Sequence, residues 1–92
     1  IPITIHNPLT TINTPGHTPG SITLYSKQGK IALVGDLIFA GGSIGRTDFV
    51  YSNSDDLKKS VKKVLKLPSN TKIYPGHGDV TTIGKLNEVK YN

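Results

Sequence analysis

The chain contains no cysteine and no methionine. Without cysteine neither a disulfide nor a thiolate metal site can form, so any metal ion must be held by His, Asp, Glu or backbone oxygen. The absence also fits a reducing compartment, and a cytoplasmic protein is expected. No apolar run approaches the ~18–20 residues of a membrane span, and no charged-then-apolar segment opens the chain, so no membrane anchor or signal segment is expected. Aromatics are few, four Tyr and two Phe, and none interleaves with the lysines. A base-stacking platform needs that interleaving, so the net charge of +5 does not point to nucleic acid. Lys58, Lys59, Lys62, Lys63 and Lys66 instead crowd into one short segment and read as a solvated helix face.

At 92 residues the chain is one small domain. A chain of that size buries only ~60–65% of its unfolded surface and is marginally stable unless something covers it. Residue 1 is Ile, so the sequence reads as part of a longer product, a single partial domain over residues 1–92.

The pattern along the chain predicts an α/β arrangement. Ile1, Ile3 and Ile5 alternate with other residues and suggest a strand, with a weaker one over Leu9–Asn13. Thr14-Pro-Gly-His-Thr-Pro-Gly20 must be a loop. Ser21–Ser26 alternates again, Gln28-Gly29 marks a tight turn, and Ile31–Val34 is continuously apolar, as expected for a strand covered on both faces. Residues 40–54 read as a long loop of the kind that often carries function. Leu57, Val61, Val64 and Leu65 fall on one face of a 3.6-residue period, predicting a helix over 55–67 with Ser54 as its cap and Pro68 as its stop. Lys72–Tyr74 is a short strand, and the tail from Gly84 is expected to form a last helical turn.

Two histidines share a setting: His17 in Pro-Gly-His-Thr-Pro-Gly and His77 in Pro-Gly-His-Gly. Proline stiffens the backbone and glycine lets it turn, so each imidazole is presented from a rigid loop at a strand end, as a metal ligand must be. Asp36 directly follows the apolar strand. Sites in open α/β sheets lie at such strand ends. Each residue also has a plainer reading: a lone loop histidine is commonly a surface group, and an Asp after a strand commonly forms a turn. His6 has no such flanks and reads as structural.

The ordered motifs favour the metal reading. Thr14-Pro-Gly-His-Thr-Pro-Gly-Ser21, Val34-Gly-Asp-Leu-Ile-Phe39 and Ile73-Tyr-Pro-Gly-His-Gly78 resemble the third-histidine, bridging-aspartate and last-histidine motifs of the metallo-β-lactamase superfamily. Gly42-Ser-Ile-Gly-Arg-Thr-Asp48 and Thr81-Thr-Ile-Gly84 are similar to its small glyoxalase II-like branch. The resemblance implies the C-terminal half of an αββα sandwich, a mixed sheet with one main amphipathic helix. It implies two divalent metal ions, zinc first, with iron or manganese also suited to His and Asp donors. His17 would bind one metal, His77 the other, and Asp36 would bridge them as the catalytic carboxylate. The parent would then be a hydrolase of acyl thioesters working through metal-activated hydroxide. Arg46 and Asp48 are candidates for the substrate loop, or for a structural pair.

The family's His-x-His-x-Asp-His motif is absent from this chain. A catalytic zinc normally has three protein ligands plus water, so the isolated chain is expected to bind metal weakly and to be inactive. One sheet face is expected to need a cover, supplied by a second copy in a homodimer or by the missing N-terminal half. The competing readings are a non-catalytic oligomerising fragment and, less favoured, a nucleic-acid-processing member of the superfamily.

Overall fold

A computed structural model describes residues 9–86, 89 and 90. Five strands, β1 (Thr10–Asn13), β2 (Ile22–Ser26), β3 (Ile31–Gly35), β4 (Lys72–Pro75) and β5 (Thr81–Thr82), form one sheet in sequential order. Helix α1 (Ser54–Leu65) crosses from β3 to β4, which pair in parallel, while every other neighbouring pair is antiparallel. This is the expected mixed sheet with one main helix. The strand expected over residues 1–5, and His6, lie outside the described residues.

Side-chain alternation sorts the sheet into two faces. Thr23, Ala32, Val34 and Ile73 are buried beneath α1, whose Leu57, Val61 and Val64 are buried in turn. Burying each of the Val, Leu and Ile side chains among them stabilises the fold by about 1.5–3 kcal/mol. The cross-strand pairs Leu24–Leu33 and Leu33–Tyr74 align the opposite face. There Leu24, Ile31, Leu33 and Tyr74 are only half-buried, and Ile22 and Val80 are exposed. The continuously apolar run of β3 is thus covered fully on one face, not on both.

Several boundaries differ from those expected. The helix begins at Ser54, and its cap is Asn53, whose backbone is extended (φ −141°, ψ 112°) and whose Oδ1 accepts from the Asp56 amide. A cap residue needs that extended backbone, which Ser54 lacks inside the helix. The helix ends at Leu65, two residues early, because Pro68 disfavours helical geometry in the residue before it. Leu67 still folds back, donating its amide to the Val64 carbonyl. In the β2–β3 turn the left-handed residue is Lys30 (φ 56°), while Ser26 Oγ accepts from the Gly29 amide. The last helical turn is a 3₁₀ turn over Ile83–Lys85. Strand β5, two residues long, carried no sequence pattern to announce it. Among the described residues, no helix is long and apolar enough to cross a membrane.

Candidate metal centre

Strand direction brings the three candidate ligands together. β1 is antiparallel to β2 and β2 to β3, so β1 runs the same way as β3, and β4 is parallel to β3. His17, Asp36 and His77 follow β1, β3 and β4 respectively. All three therefore leave the sheet at the same edge. The Gly76 amide donates to the Gly35 carbonyl at 2.8 Å, tying the His77 loop to the residue before Asp36.

Asp36 stands between the two histidines and gives each a different oxygen. Oδ2 lies 3.5 Å from His17 Nε2, and Oδ1 lies 3.0 Å from His77 Nδ1. His17 is the more enclosed, with 20% of its side chain exposed against 81% for His77. His17 Nδ1 is 2.8 Å from the Arg46 carbonyl, which can only accept, so this nitrogen carries the proton. In the neutral ring, Nε2 then turns a lone pair toward a carboxylate oxygen. Two such acceptors face each other stably only with a proton or a cation between them. Donors about 2.0–2.2 Å from a tetrahedral ion are about 3.3–3.5 Å apart, which matches the His17–Asp36 spacing. His77 faces Asp36 through Nδ1, and a proton on that nitrogen leaves Nε2 with a lone pair. The donor set therefore fits divalent zinc, iron or manganese, with one carboxylate serving both histidines. Its size is short of a full shell: among the described residues, no three or more His, Asp or Glu side chains are placed to hold an ion by themselves.

The loop after β3 builds the wall of the site. Ile38 and Ile44 bridge to each other, and the Gly45 amide donates to the Leu37 carbonyl, so the chain doubles back over Asp36. A Cβ on Gly45 would collide with the Asp36 carbonyl oxygen, so only glycine allows this approach. A cleft of about 390 Å³ results, lined by His17, Asp36, Phe39, Arg46, Phe49 and His77 among others. Arg46 and Asp48 face each other as a bidentate pair, with Nε–Oδ1 at 3.0 Å and Nη2–Oδ2 at 2.8 Å. That hydrogen bonding, before simple charge attraction, raises the Arg46 pKa, and the bond from Arg46 lowers that of Asp48. Arg46 also stacks over Phe49 at 4.7 Å, and Phe49 lies parallel to Tyr51 and edge-on to His17.

The His17 loop is secured from behind by α1 and the two residues that lead into it. Ser52 Oγ donates to the His17 carbonyl, the Asn53 amide to that of Gly16, and Ser60 Oγ to that of Pro15, at 2.7–2.8 Å. Phe49, Tyr51, Ser52 and Ser60 were not singled out from the sequence. Ser60 had one visible signal, a hydroxyl three residues from Leu57 and next to Val61 on the apolar side of the helix.

Residues 5–77 match the sequence profile of the metallo-beta-lactamase superfamily. The chain belongs to that family. It is 43% identical over 76 residues to a probable metallo-hydrolase, YqgX, of Bacillus subtilis, covering 82% of this chain and 36% of that protein. It is 44% identical over 75 residues to the hydroxyacylglutathione hydrolase GloC of Haemophilus influenzae, covering 80% of this chain and 35% of that protein. The crystal structure of TTHA1623 in a di-iron-bound form superimposes with a TM-score of 0.80 at 39% identity, over 84% of this chain and 38% of that one. The chain thus spans about a third of the length of the curated relatives it matches. Within the metallo-beta-lactamase fold, its mixed sheet and helix correspond to part of the larger structure.

Proposed function

We propose that this chain is the portion of a metal-dependent acyl-thioester hydrolase that supplies His17, Asp36 and His77 to a pair of divalent ions. The observation that carries the reading is the Asp36 carboxylate, whose two oxygens are divided between the two imidazoles. When bound, such ions lower the pKa of a water and polarise the acyl carbonyl. This chain's own groups hold the ligand geometry and shape the cleft. Phe39 and Ile44 give the cleft apolar wall for an acyl chain, and Phe49 with Arg46 gives it an aromatic and cationic rim. The GloC relative is named for a thioester substrate, and the chemistry of the cleft is compatible with that class. Zinc and iron both suit the donors, and a di-iron-bound relative supports iron as a serious candidate beside zinc.

The remaining ligands, and the cover for the half-buried sheet face, come in this reading from the rest of a longer polypeptide. The isolated 92-residue chain is then inactive. Full-length protein loaded with zinc or with iron is assayed against short acyl thioesters, beside the Asp36→Asn variant. The expected result is turnover by the parent and a drop in metal affinity for the variant of at least ~10–100-fold, the loss typical when a group that merely supports a ligand is removed. Absence of thioester turnover with either metal overturns the substrate class. Undiminished metal binding by Asp36→Asn overturns the site.

A further inference from the structure

We propose that Ser60 and Ser52 are positioning residues for His17, fixing the imidazole before any metal arrives. The inference deepens the metal-site reading and rests on it for its functional consequence.

The loop from Asn13 to His17 offers a series of main-chain carbonyls to α1 and the two residues before it, and four of them are taken. Lys63 Nζ donates to Asn13, Ser60 Oγ to Pro15, the Asn53 amide to Gly16, and Ser52 Oγ to His17 itself. Two of these donors have roles that other residues could fill. Lys63 reaches an exposed carbonyl with a long flexible chain, and the Asn53 amide is available whatever its side chain. The serines differ. Ser60 is 2% exposed and occupies a helical position between Leu57 and Val61 where an aliphatic side chain would add core contacts. A hydroxyl there gives up burial energy and is useful only for the bond it makes. Its partner lies 45 residues away in sequence, so the bond fixes the loop against the helix rather than the helix itself.

The geometry also leaves the loop no slack. Gly16 has φ 141°, and a Cβ there would run into the main chain of Leu57, so the loop lies directly on the helix backbone. Ser60 holds the loop two residues before His17, and Ser52 holds the His17 carbonyl. The backbone on both sides of the His17 Cα is thereby set. The ring then keeps only its two side-chain torsions, which the Nδ1–H bond to the Arg46 carbonyl restrains. A ligand must sit within about 0.5 Å of its working position to avoid an ordering cost when the ion binds.

The test uses full-length protein and two readouts, one of them independent of metal. In metal-free protein, long-range ¹H–¹⁵N spectra report the His17 tautomer. The parent should hold His17 in a single ring state with Nδ1 protonated, and Ser60→Ala and Ser52→Ala should each show an averaged ring. Ser52→Thr, which keeps the hydroxyl at a partly exposed position, should restore the single form. Zinc affinity should fall about 10–100-fold in the alanine variants and recover with threonine, at unchanged far-ultraviolet circular dichroism. An unaltered tautomer in both alanine variants overturns the proposal. So does threonine at position 52 behaving like alanine. His17→Ala is measured alongside: if it binds zinc as tightly as the parent, the ligand role of His17 falls, while the tautomer readout still decides whether the serines orient the ring.

Discussion

The Cα of Gly45 rests against the carbonyl oxygen of Asp36 so closely that no side chain fits between them. The contact holds the loop after β3 over the carboxylate that serves both histidines. It also places the Arg46 carbonyl, one residue on, at the Nδ1 proton of His17. Gly45→Ala should therefore force the loop outward. The expected cost is about 1–3 kcal/mol, as for overpacking at a rigid contact, read as a lowered urea midpoint. Metal affinity should fall with it. Gly41→Ala provides the contrast: Gly41 has open space around it but φ 90°, so its cost is backbone strain without displacement of Asp36. Equal losses of metal affinity in the two variants would argue that the loop matters only through general stability.

What was legible in the sequence, and what was not, divides by the range of the interaction. The apolar run of β3 and the Leu57–Val61–Val64 stripe announced themselves because burial periodicity is local. The three candidate ligands were legible as Pro/Gly-flanked histidines and an Asp, each at a strand end and so able to converge on one edge of a sheet. What the sequence did not show is the reason they do: β1, β3 and β4 share one direction. Asn53 and Ser54 are both good cap residues, and only the backbone angles distinguish which one caps. Ser60 was not singled out because its partner, the Pro15 carbonyl, belongs to a different part of the chain. The Arg46–Asp48 pair was one of two open readings, and the structure brings the residues together at 2.8 Å, with Arg46 lining the cleft.

That pair makes an acid-sensitive clasp. The Arg46 hydrogen bond holds the Asp48 carboxyl below its ordinary value, which is about 3.9 in an unfolded chain. A carboxyl depressed by folding contributes stability that is present above the unfolded pKa and is lost as pH falls through the folded one. The difference in urea midpoint between the parent and Asp48→Asn should thus be constant from neutral pH down to about pH 5. It should shrink below about pH 4 and vanish in stronger acid. Both groups are about two-thirds exposed, so the effect is small and 1 M salt should reduce it further. A midpoint difference that grows as pH falls would reverse the sign and remove the clasp from the account.

The sheet face away from α1 makes the strongest demand on a partner. Leu24, Leu33 and Tyr74 align across three adjacent strands, flanked by exposed Ile22 and Val80. A patch of that kind does not stay in water on a soluble monomer without consequence. In the proposed reading the rest of a longer polypeptide covers it, and for the isolated 92-residue chain the expected cover is a second copy. Light scattering of the isolated chain at micromolar concentration should give at least a dimer mass. Leu24→Glu combined with Tyr74→Lys should give a monomer, because charges set into the patch remain solvated only when nothing is stacked on it. In full-length protein the same double substitution should be strongly destabilising, since there the charges are trapped under the covering residues. Opposite outcomes in the two settings, a monomer in one and unfolding in the other, are the signature of a face designed to be covered. A parent chain that is already monomeric and stable would mean that the half-buried residues of this face need no cover.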